Sequence, residues 1–289
     1  MGARKNRSTE TALDLLLSQI RATWQVEGVA TVLSMDMSGA FDHVVKERLI
    51  HILRSKGVPE GIVGWMTDRT TTMLFDGQES EPREVAAGIP QGSPISPILF
   101  LFYNSELVDI CSPQDIHLQG IGFVDDVNLV AWGATTRGNC DNLERLHERC
   151  LEWAGRHGAK FATEKYELIH LTRRPKRFDT TQTLRLGDII KKPVQEVRVL
   201  GLHLDPRLQW TTHRTKVLEK LKTQTNALTK LTGSTWGIPM IQARQVYTMV
   251  IRPAMAYAAH AWHQPVAERG KGLVMTNRLQ KSRIGACEW

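Results

Sequence analysis

The apolar positions of this chain change period along its length, and the changes mark its elements. Leu13, Leu16, Leu17, Ile20 and Trp24 recur at helical spacing after Ser8 and Thr9, either of which can cap a helix with Glu10 in its first turn. Val29–Met35 is an apolar run too short for a helix, so it predicts a buried strand ending at Asp36. Val45, Leu49, Ile52 and Leu53 predict a helix from Val44 to Lys56 with Gly57 just past its end, and Pro59 can open a short one through Trp65. Thr71–Phe75 and Glu79–Ala87 flank Asp76-Gly77, a pair that supplies the positive φ values of a tight hairpin turn.

Next comes Gly88-Ile89-Pro90-Gln91-Gly92-Ser93-Pro94, whose Ser-Pro pair fits a helix N-cap followed by the first helical position. Ile98 to Val108 is the helix so launched. Ile116–Val124 and Val127–Trp132 read as a strand pair with Asp125 and Asp126 at or beside its turn. A helix over Asn142–His157 follows, then strands over Tyr166–Leu171, Thr183–Ile190 and Val197–Leu204. After Asp205-Pro206 only helical spacing remains, in Trp210–Leu231, Met240–Val250, Pro253–Trp262 and Leu273–Ile284. The order predicts a mixed α/β sheet domain carrying an all-α appendage, with a boundary near residue 206. A helix that starts almost at residue 1 suggests a piece of something longer.

The acids carry the candidate chemistry. Two carboxylates at the tip of an apolar hairpin repel one another by as much as ~4 kcal/mol at 4 Å and an effective dielectric near 20. A divalent cation of the magnesium type relieves that repulsion; a solvated Asp-Asp turn is the bland alternative. Asp36 belongs with the pair, because it closes a buried strand where a charge is unwelcome unless it faces solvent or a cation. If the two elements are neighbours, Asp36, Asp125 and Asp126 converge, and such a group can hold two cations for phosphoryl transfer. Asp42 is the better candidate to cap the helix that follows.

Charge sharpens this. Residues 1–159 hold 14 Lys and Arg against 21 Asp and Glu, a balance of −7, whereas residues 160–289 hold 23 against 9, a balance of +14. An acidic half able to hold metals beside a strongly basic half suits work on polyphosphate or nucleic acid. Cys111, Cys140, Cys150 and Cys287 show no zinc or disulfide spacing, which predicts a reduced intracellular protein, nuclear or cytoplasmic. No apolar run approaches the ~18 residues of a membrane span.

Asp36-Met-Ser-Gly-Ala-Phe41-Asp42, then Gly88-Ile-Pro-Gln91-Gly-Ser-Pro, then Phe123-Val-Asp125-Asp126 resemble, in order, the palm motifs of reverse transcriptases. The wording is most like that of non-LTR (LINE-type) retrotransposons, particularly fungal ones. The resemblance implies a right-hand polymerase fold: residues 1–25 as a remnant of the fingers and the finger-to-palm helix, 26–205 as palm with a primer-grip-like hairpin, and 206–289 as a helical thumb. It implies RNA-directed DNA synthesis from deoxynucleoside triphosphates on an RNA template and a DNA primer.

The same resemblance assigns residues. Asp36, Asp125 and Asp126, with the backbone carbonyl of Met37, would hold two magnesium ions, with manganese as a substitute. Lys165 would protonate the departing pyrophosphate. Gly39, Ala40, Phe41, Gln91 and Gly92 would line the nucleotide site, Phe41 as a gate against a 2′-hydroxyl. Gly88, Pro90, Leu200, Gly201, Arg173, Arg174, Lys176, Arg177, Lys216 and Lys220 would meet primer and template. Two alternatives are an inactive retroelement remnant with residual nucleic-acid binding, and a mobile-intron maturase.

Overall fold

The apolar run that ends at Asp36 becomes the inner strand of the principal sheet. In a computed structural model, residues 6–64, 66–67, 69–85, 87–111, 117–233 and 236–263 are described. Helix α1 (Thr9–Gln25) is capped by Ser8, whose hydroxyl accepts from the Thr11 amide at 3.1 Å. Its Leu13, Leu16, Leu17 and Ile20 are buried, and Trp24 donates its indole N–H to the Leu171 carbonyl at 3.0 Å. Strand β1 (Val29–Asp36) follows, then α2 (Lys46–Ser55) and the short α3 (Glu60–Gly64). One hairpin pairs in two places: β2 (Thr70–Thr71) and β3 (Leu74–Phe75) return as β4 (Gln78–Glu79) and β5 (Arg83–Glu84). Asp76 and Gly77, at φ 49° and 75°, turn it as the Asp-Gly pair predicts.

Where one helix was expected over Ile98–Val108 there are two, α4 (Ser96–Tyr103) and α5 (Ser105–Ile110). The break is Asn104, a poor helix former whose amide is used across the fold. The Ser93-Pro94 pair forms a turn rather than the cap, and Ser96 secures the entry by donating its hydroxyl to the Pro90 carbonyl at 2.6 Å. Strands β6 (Leu118–Phe123) and β7 (Asp126–Gly133) form the expected hairpin. Helix α6 (Thr136–His157) starts earlier than its leucine spacing shows, because Thr135 caps it by accepting from the Gly138 amide. Strand β8 (Glu167–Leu171) completes an antiparallel sheet of order β6-β7-β1-β8. The single strand expected at Thr183–Ile190 is a small hairpin, β9 (Leu184–Leu186) with β10 (Ile189–Lys191).

Alternation assigns the two faces of the sheet. Leu33, Met35, Val127, Leu129 and Leu168 join Leu49, Leu53, Phe100, Leu143 and Trp153 in the main core. Ala30, Val32, Val130 and Ile169 point the other way, toward α1, which packs on the strands. One polar chain crosses the core and is fully specified. Asn139 donates to the Val29 carbonyl and the Thr31 hydroxyl, Thr31 donates to His170 Nδ1, and His170 Nε2–H donates to the Gln182 carbonyl. Burial holds the His170 pKa below its ordinary value, which keeps the ring in the neutral tautomer this chain needs.

The chain divides into two units at Val194/Gln195, not near residue 206. Strands β11 (Val197–Val199) and β12 (Leu202–Leu204) pair around Leu200 and Gly201, at φ 47° and 83°, and belong with the helices that follow. The reason lies in Asp205. Its carboxylate accepts from the backbone amides of Arg207, Gln209 and Trp210, so Asp205-Pro206 is a bonded corner. Helix α7 (Thr211–Leu231) packs with α8 (Met240–Val246) through Leu221, Leu228 and Ala243. A π-helical turn, Tyr247–Ile251, separates α8 from α9 (Arg252–Ala256), where Pro253 has no N–H to continue the ladder. Pro253–Trp262 is not one helix: Ala258 takes φ 50°, and α10 (Ala259–Trp262) restarts after it. The expected helix Leu273–Ile284 and Cys287 lie outside the described residues. No described helix is long and apolar enough to cross a membrane.

This unit carries a pH prediction. His213 is buried beside the Trp210 and Trp262 rings, with its Nδ1 accepting from the His203 amide at 3.4 Å. Burial, then the neighbouring His203, lowers its pKa to about 4. An unfolded histidine takes up its proton near pH ~6.5 and the folded one does not. Stability is therefore present above that pH and falls through pH ~6.5 to 4, by on the order of 3 kcal/mol from this group. Urea midpoints across that window are expected to fall less steeply in His213→Phe than in the wild type.

Candidate active site

The geometry of the candidate site follows from strand register. Asp36, the last residue of β1, is the ladder partner of Asp126, the first residue of β7. Directly opposed residues hold their Cβ atoms about 4.5–5.5 Å apart. Asp125 sits one residue earlier, in the two-residue turn Val124-Asp125 that joins Phe123 to Asp126. Of the two turn residues only Val124 has positive φ, 58°, the pattern of a type II′ turn in which glycine is the ordinary occupant. A β-branched residue there costs of order 1–3 kcal/mol. The turn is held by Asn104, whose Nδ2 donates to the Val124 carbonyl at 3.2 Å. From behind, Gly120 lets α5 approach, since a Cβ on it would stand 2.2 Å from that of Cys111. Val124→Gly is expected to raise folding stability by about 1 kcal/mol, the relieved strain exceeding the entropy glycine adds to the unfolded chain. A lower urea midpoint in that variant would mean that the packing of Val124 on the core outweighs the strain of the turn.

The expectation that three carboxylates gather in one metal-holding group is not met among the described residues. Asp36 instead gives Oδ2 to Lys165 Nζ at 2.8 Å. That hydrogen bond and the Asp36 charge raise the Lys165 pKa, so this ammonium holds its proton firmly. A cation already sits on the first acid; it is a lysine of the chain itself. The segment beyond Asp36 is fixed by a bridge between Met37 and Phe161, made by Ser38 N–H to the Lys160 carbonyl and Ala162 N–H to the Asp36 carbonyl. The Met37 carbonyl takes no part in that bridge.

Around the acids, two segments are zipped together. Gly39, at φ 53°, turns the chain, and His43 closes the turn with its amide on the Gly39 carbonyl and Nδ1–H on the Ser38 carbonyl. Ala40 and Phe41 pack on the core, the Phe41 ring lying 5.1 Å from that of Phe100. Against this turn runs the 88–92 loop. The Ile89 amide donates to the Phe41 carbonyl at 2.9 Å and the Gly88 amide to the Val44 carbonyl at 2.8 Å. Gly88, at φ 82°, makes the approach possible, because a Cβ would stand 3.0 Å from the Asp42 carbonyl oxygen. Pro90 accepts Ser96, and Gly92, at φ 85°, releases the chain toward α4.

Asp42 does not cap α2. That helix has Val45 at its N-cap and no side-chain cap. Asp42 accepts instead from Gln91 Nε2, at 3.0 Å on one oxygen and 3.1 Å on the other.

The arginine run after β8 is exposed, and its members find partners on the neighbouring end of α1. Arg174 and Arg177 both pair with Glu27, at 2.5 and 2.7 Å, and hold its pKa below the usual carboxylate range. Arg173 lies over the Trp24 ring at 4.9 Å. These three join the end of α1 to the segment after β8, and like Lys176 all of them are exposed. In the second unit Lys216 pairs with Glu196, Lys220 is exposed, and Tyr257 donates its hydroxyl to the Leu200 carbonyl in the hairpin turn beside Gly201. Asn104, Asp42 and Glu27 are the site-shaping residues that pattern reading missed. Asn104 left a signal as a polar residue interrupting an apolar helical run, and Asp42 as the last residue of the first motif, though its partner was not foreseen.

Residues 1–204 match the family described as reverse transcriptase (RNA-dependent DNA polymerase). Among curated proteins, the chain is similar to a probable RNA-directed DNA polymerase from transposon X-element of Drosophila melanogaster, 23% identical over 296 residues, covering 100% of this chain and 32% of that protein. It is also similar to the RNA-directed DNA polymerase from mobile element jockey of the same organism, 19% identical, covering 86% and 27%. The chain thus spans about a third or less of the length of these relatives, which are insect elements rather than the fungal ones its motif wording suggested. Among solved structures, apo telomerase from Candida tropicalis matches with a TM-score of 0.51 at 12% identity, covering 98% of this chain and 47% of that one. That likeness bears on the fold alone, which is that of a right-hand polymerase.

Proposed function

We propose, for a chain that belongs to the reverse transcriptase family, that it adds deoxynucleotides to a DNA primer on an RNA template as the polymerase core of a non-LTR retrotransposon. The observation that carries this is the register pair Asp36–Asp126 with Asp125 in the adjoining turn, beside the fastened Phe41 and Gln91 wall. Carboxylates and a backbone carbonyl are the hard donors magnesium takes, and a lysine already bound at Asp36 marks that corner as one that accepts a cation. Asp36, Asp125, Asp126 and the Met37 carbonyl would hold two magnesium ions, with manganese as a substitute. When bound, such ions activate the primer 3′-hydroxyl and neutralise the triphosphate.

The chain's own residues do the rest by position. Phe41, held by its packing on Phe100, leaves no room for a 2′-hydroxyl and so selects deoxynucleotides. Lys165, whose Nζ already donates to Asp36 Oδ2, would supply a proton to the departing pyrophosphate. The Gly88–Gly92 backbone passes close to the nascent pair. The exposed Arg173, Arg174, Lys176, Arg177, Lys216 and Lys220, with Gly88, Pro90 and the hairpin turn at Leu200 and Gly201, are the candidates for primer and template contact.

The test is extension of a DNA primer on an RNA template with magnesium or manganese, against the same reaction with the metal chelated. Metal-dependent extension is expected, and no extension by folded protein under both metals would sink the reading. The Lys165–Asp36 pair favours one second reading, a retroelement remnant that binds nucleic acid without copying it. That remnant would keep a salt-sensitive affinity for RNA–DNA hybrid in the absence of any extension.

A further inference from the structure

Helix α5 is tied at both ends to the hairpin that carries Asp125 and Asp126. Asn104, its N-cap, donates Nδ2 to the Val124 carbonyl at 3.2 Å. Cys111, its C-cap, presses on β6, where a Cβ on Gly120 would stand 2.2 Å from its own. At this second end Cys111 Sγ lies 3.5 Å from Cys150 Sγ of α6, across 39 residues of sequence, and both thiols are buried and free. The hydrogen bond to Cys150, then burial, hold the Cys111 thiol pKa above its ordinary value, so the protonated thiol is the resting form and reacts slowly.

A route reaches this pair from outside. Cys111 lines a cavity of about 30 Å³ walled by Leu107, Val108, Gly120 and Gly122, and Val108 is exposed. A cavity of ~10–15 Å³ already admits a water, so this one admits a molecule of similar size such as hydrogen peroxide. Cys140, the other buried thiol of α6, is ten residues from Cys150, about 15 Å along the helix and out of reach.

We propose that Cys111 and Cys150 are a redox modification site, closed to a disulfide by hydrogen peroxide, that joins α5 to α6 behind the Asp125 turn. The Cys111 sulfur attacks one peroxide oxygen, the O–O bond breaks, and water leaves with the thiol proton. The Cys150 sulfur then attacks the sulfenic acid so formed, the S–S bond closes, and a second water leaves. Two thiols give up two electrons and two protons, and the peroxide is reduced to two waters. The sulfurs approach from 3.5 Å to about 2.05 Å. Cys150 lies inside a 22-residue helix whereas Cys111 ends a six-residue one, so α5 takes up the movement. The hairpin feels it through Gly120 and Asn104. On the reading that Asp125 and Asp126 serve polymerisation, the closed bond lowers primer extension.

The test uses Cys287→Ser protein, whose three remaining thiols are all buried. Hydrogen peroxide on the folded protein is expected to remove two thiols and leave a cross-linked pair of peptides carrying Cys111 and Cys150. Dithiothreitol is expected to restore both. Two free thiols at these positions after exposure, or oxidised Cys111 without the cross-link, would overturn the proposal. Backbone amide signals of residues 120–125 are expected to move on oxidation, and to stay in place when Cys150→Ala protein is treated alike. Signals unmoved by a formed bond would overturn the link to the turn. Extension is expected to fall about tenfold or more on oxidation and to recover on reduction, since a 1 Å misplacement can cost ~10²-fold. Extension undiminished by a complete bond would overturn the regulatory role. Protein that copies nothing even when reduced defeats the polymerase reading alone, and the cross-link and amide signals still decide this one.

Discussion

Asp125→Asn is expected to lower primer extension by at least ~10³-fold, equivalent to ~4 kcal/mol of transition-state stabilisation. The variant keeps the size and shape of the side chain and removes only its charge, the property a bound cation needs. Folding is expected to hold: Asp125 lies in a two-residue turn whose geometry is carried by Val124 and by the Asn104 bond to its carbonyl. Removing one of two adjacent like charges stabilises the hairpin if it does anything. Single-turnover extension beside a thermal melt separates the two effects. A collapse of activity with an unchanged or slightly raised midpoint is the expected pair of results; loss of both together would point to a structural role. Asp36→Asn is expected to match the loss of activity but with a second signature. It also releases Lys165, so the lysine pKa returns toward its ordinary value. That shift is readable by NMR titration with no substrate present.

The largest expected loss of stability lies on the other face of the sheet. Trp153 is fully buried, stacked on His157 at 4.6 Å between centroids and edge-on to Tyr103 at 6.3 Å. It fills the space between α6 and α4, on which the strand carrying Asp36 rests. Trp153→Ala is expected to cost about 3–5 kcal/mol, the lost burial plus the cavity left behind. Trp153→Phe is expected to cost less than half as much. Among the described residues the buried indole N–H has no hydrogen-bond partner, so deleting it removes an unsatisfied donor along with part of the volume. Urea denaturation of both variants checks the ordering, and equal losses would show that the N–H is satisfied by a buried water.

Much of this architecture is legible in the chain alone. The strand ending at Asp36, the hairpin carrying Asp125 and Asp126, and the Asp76-Gly77 turn follow from alternation and turn chemistry, which act over a few residues. The order of the three motifs carried the family. Where pattern reading slipped, a polar side chain had found a distant partner. Asn104 broke a helix that leucine spacing joined, because its amide serves the Val124 carbonyl. Asp205 closed a corner where a domain boundary was expected, because it gathers three backbone amides.

The sequence by itself determined which carboxylates end which strands and hence that Asp36, Asp125 and Asp126 could meet. Only the tertiary structure decided whom each charged group chose. Asp36 took Lys165 across 129 residues, Asp42 took Gln91 across 49, and Glu27 took Arg177 across 150. Helical and strand periods are written in neighbours, so they survive in the one-dimensional pattern. An ion pair depends on which strands lie side by side and in what register, and a local pattern of residues carries no record of that distance.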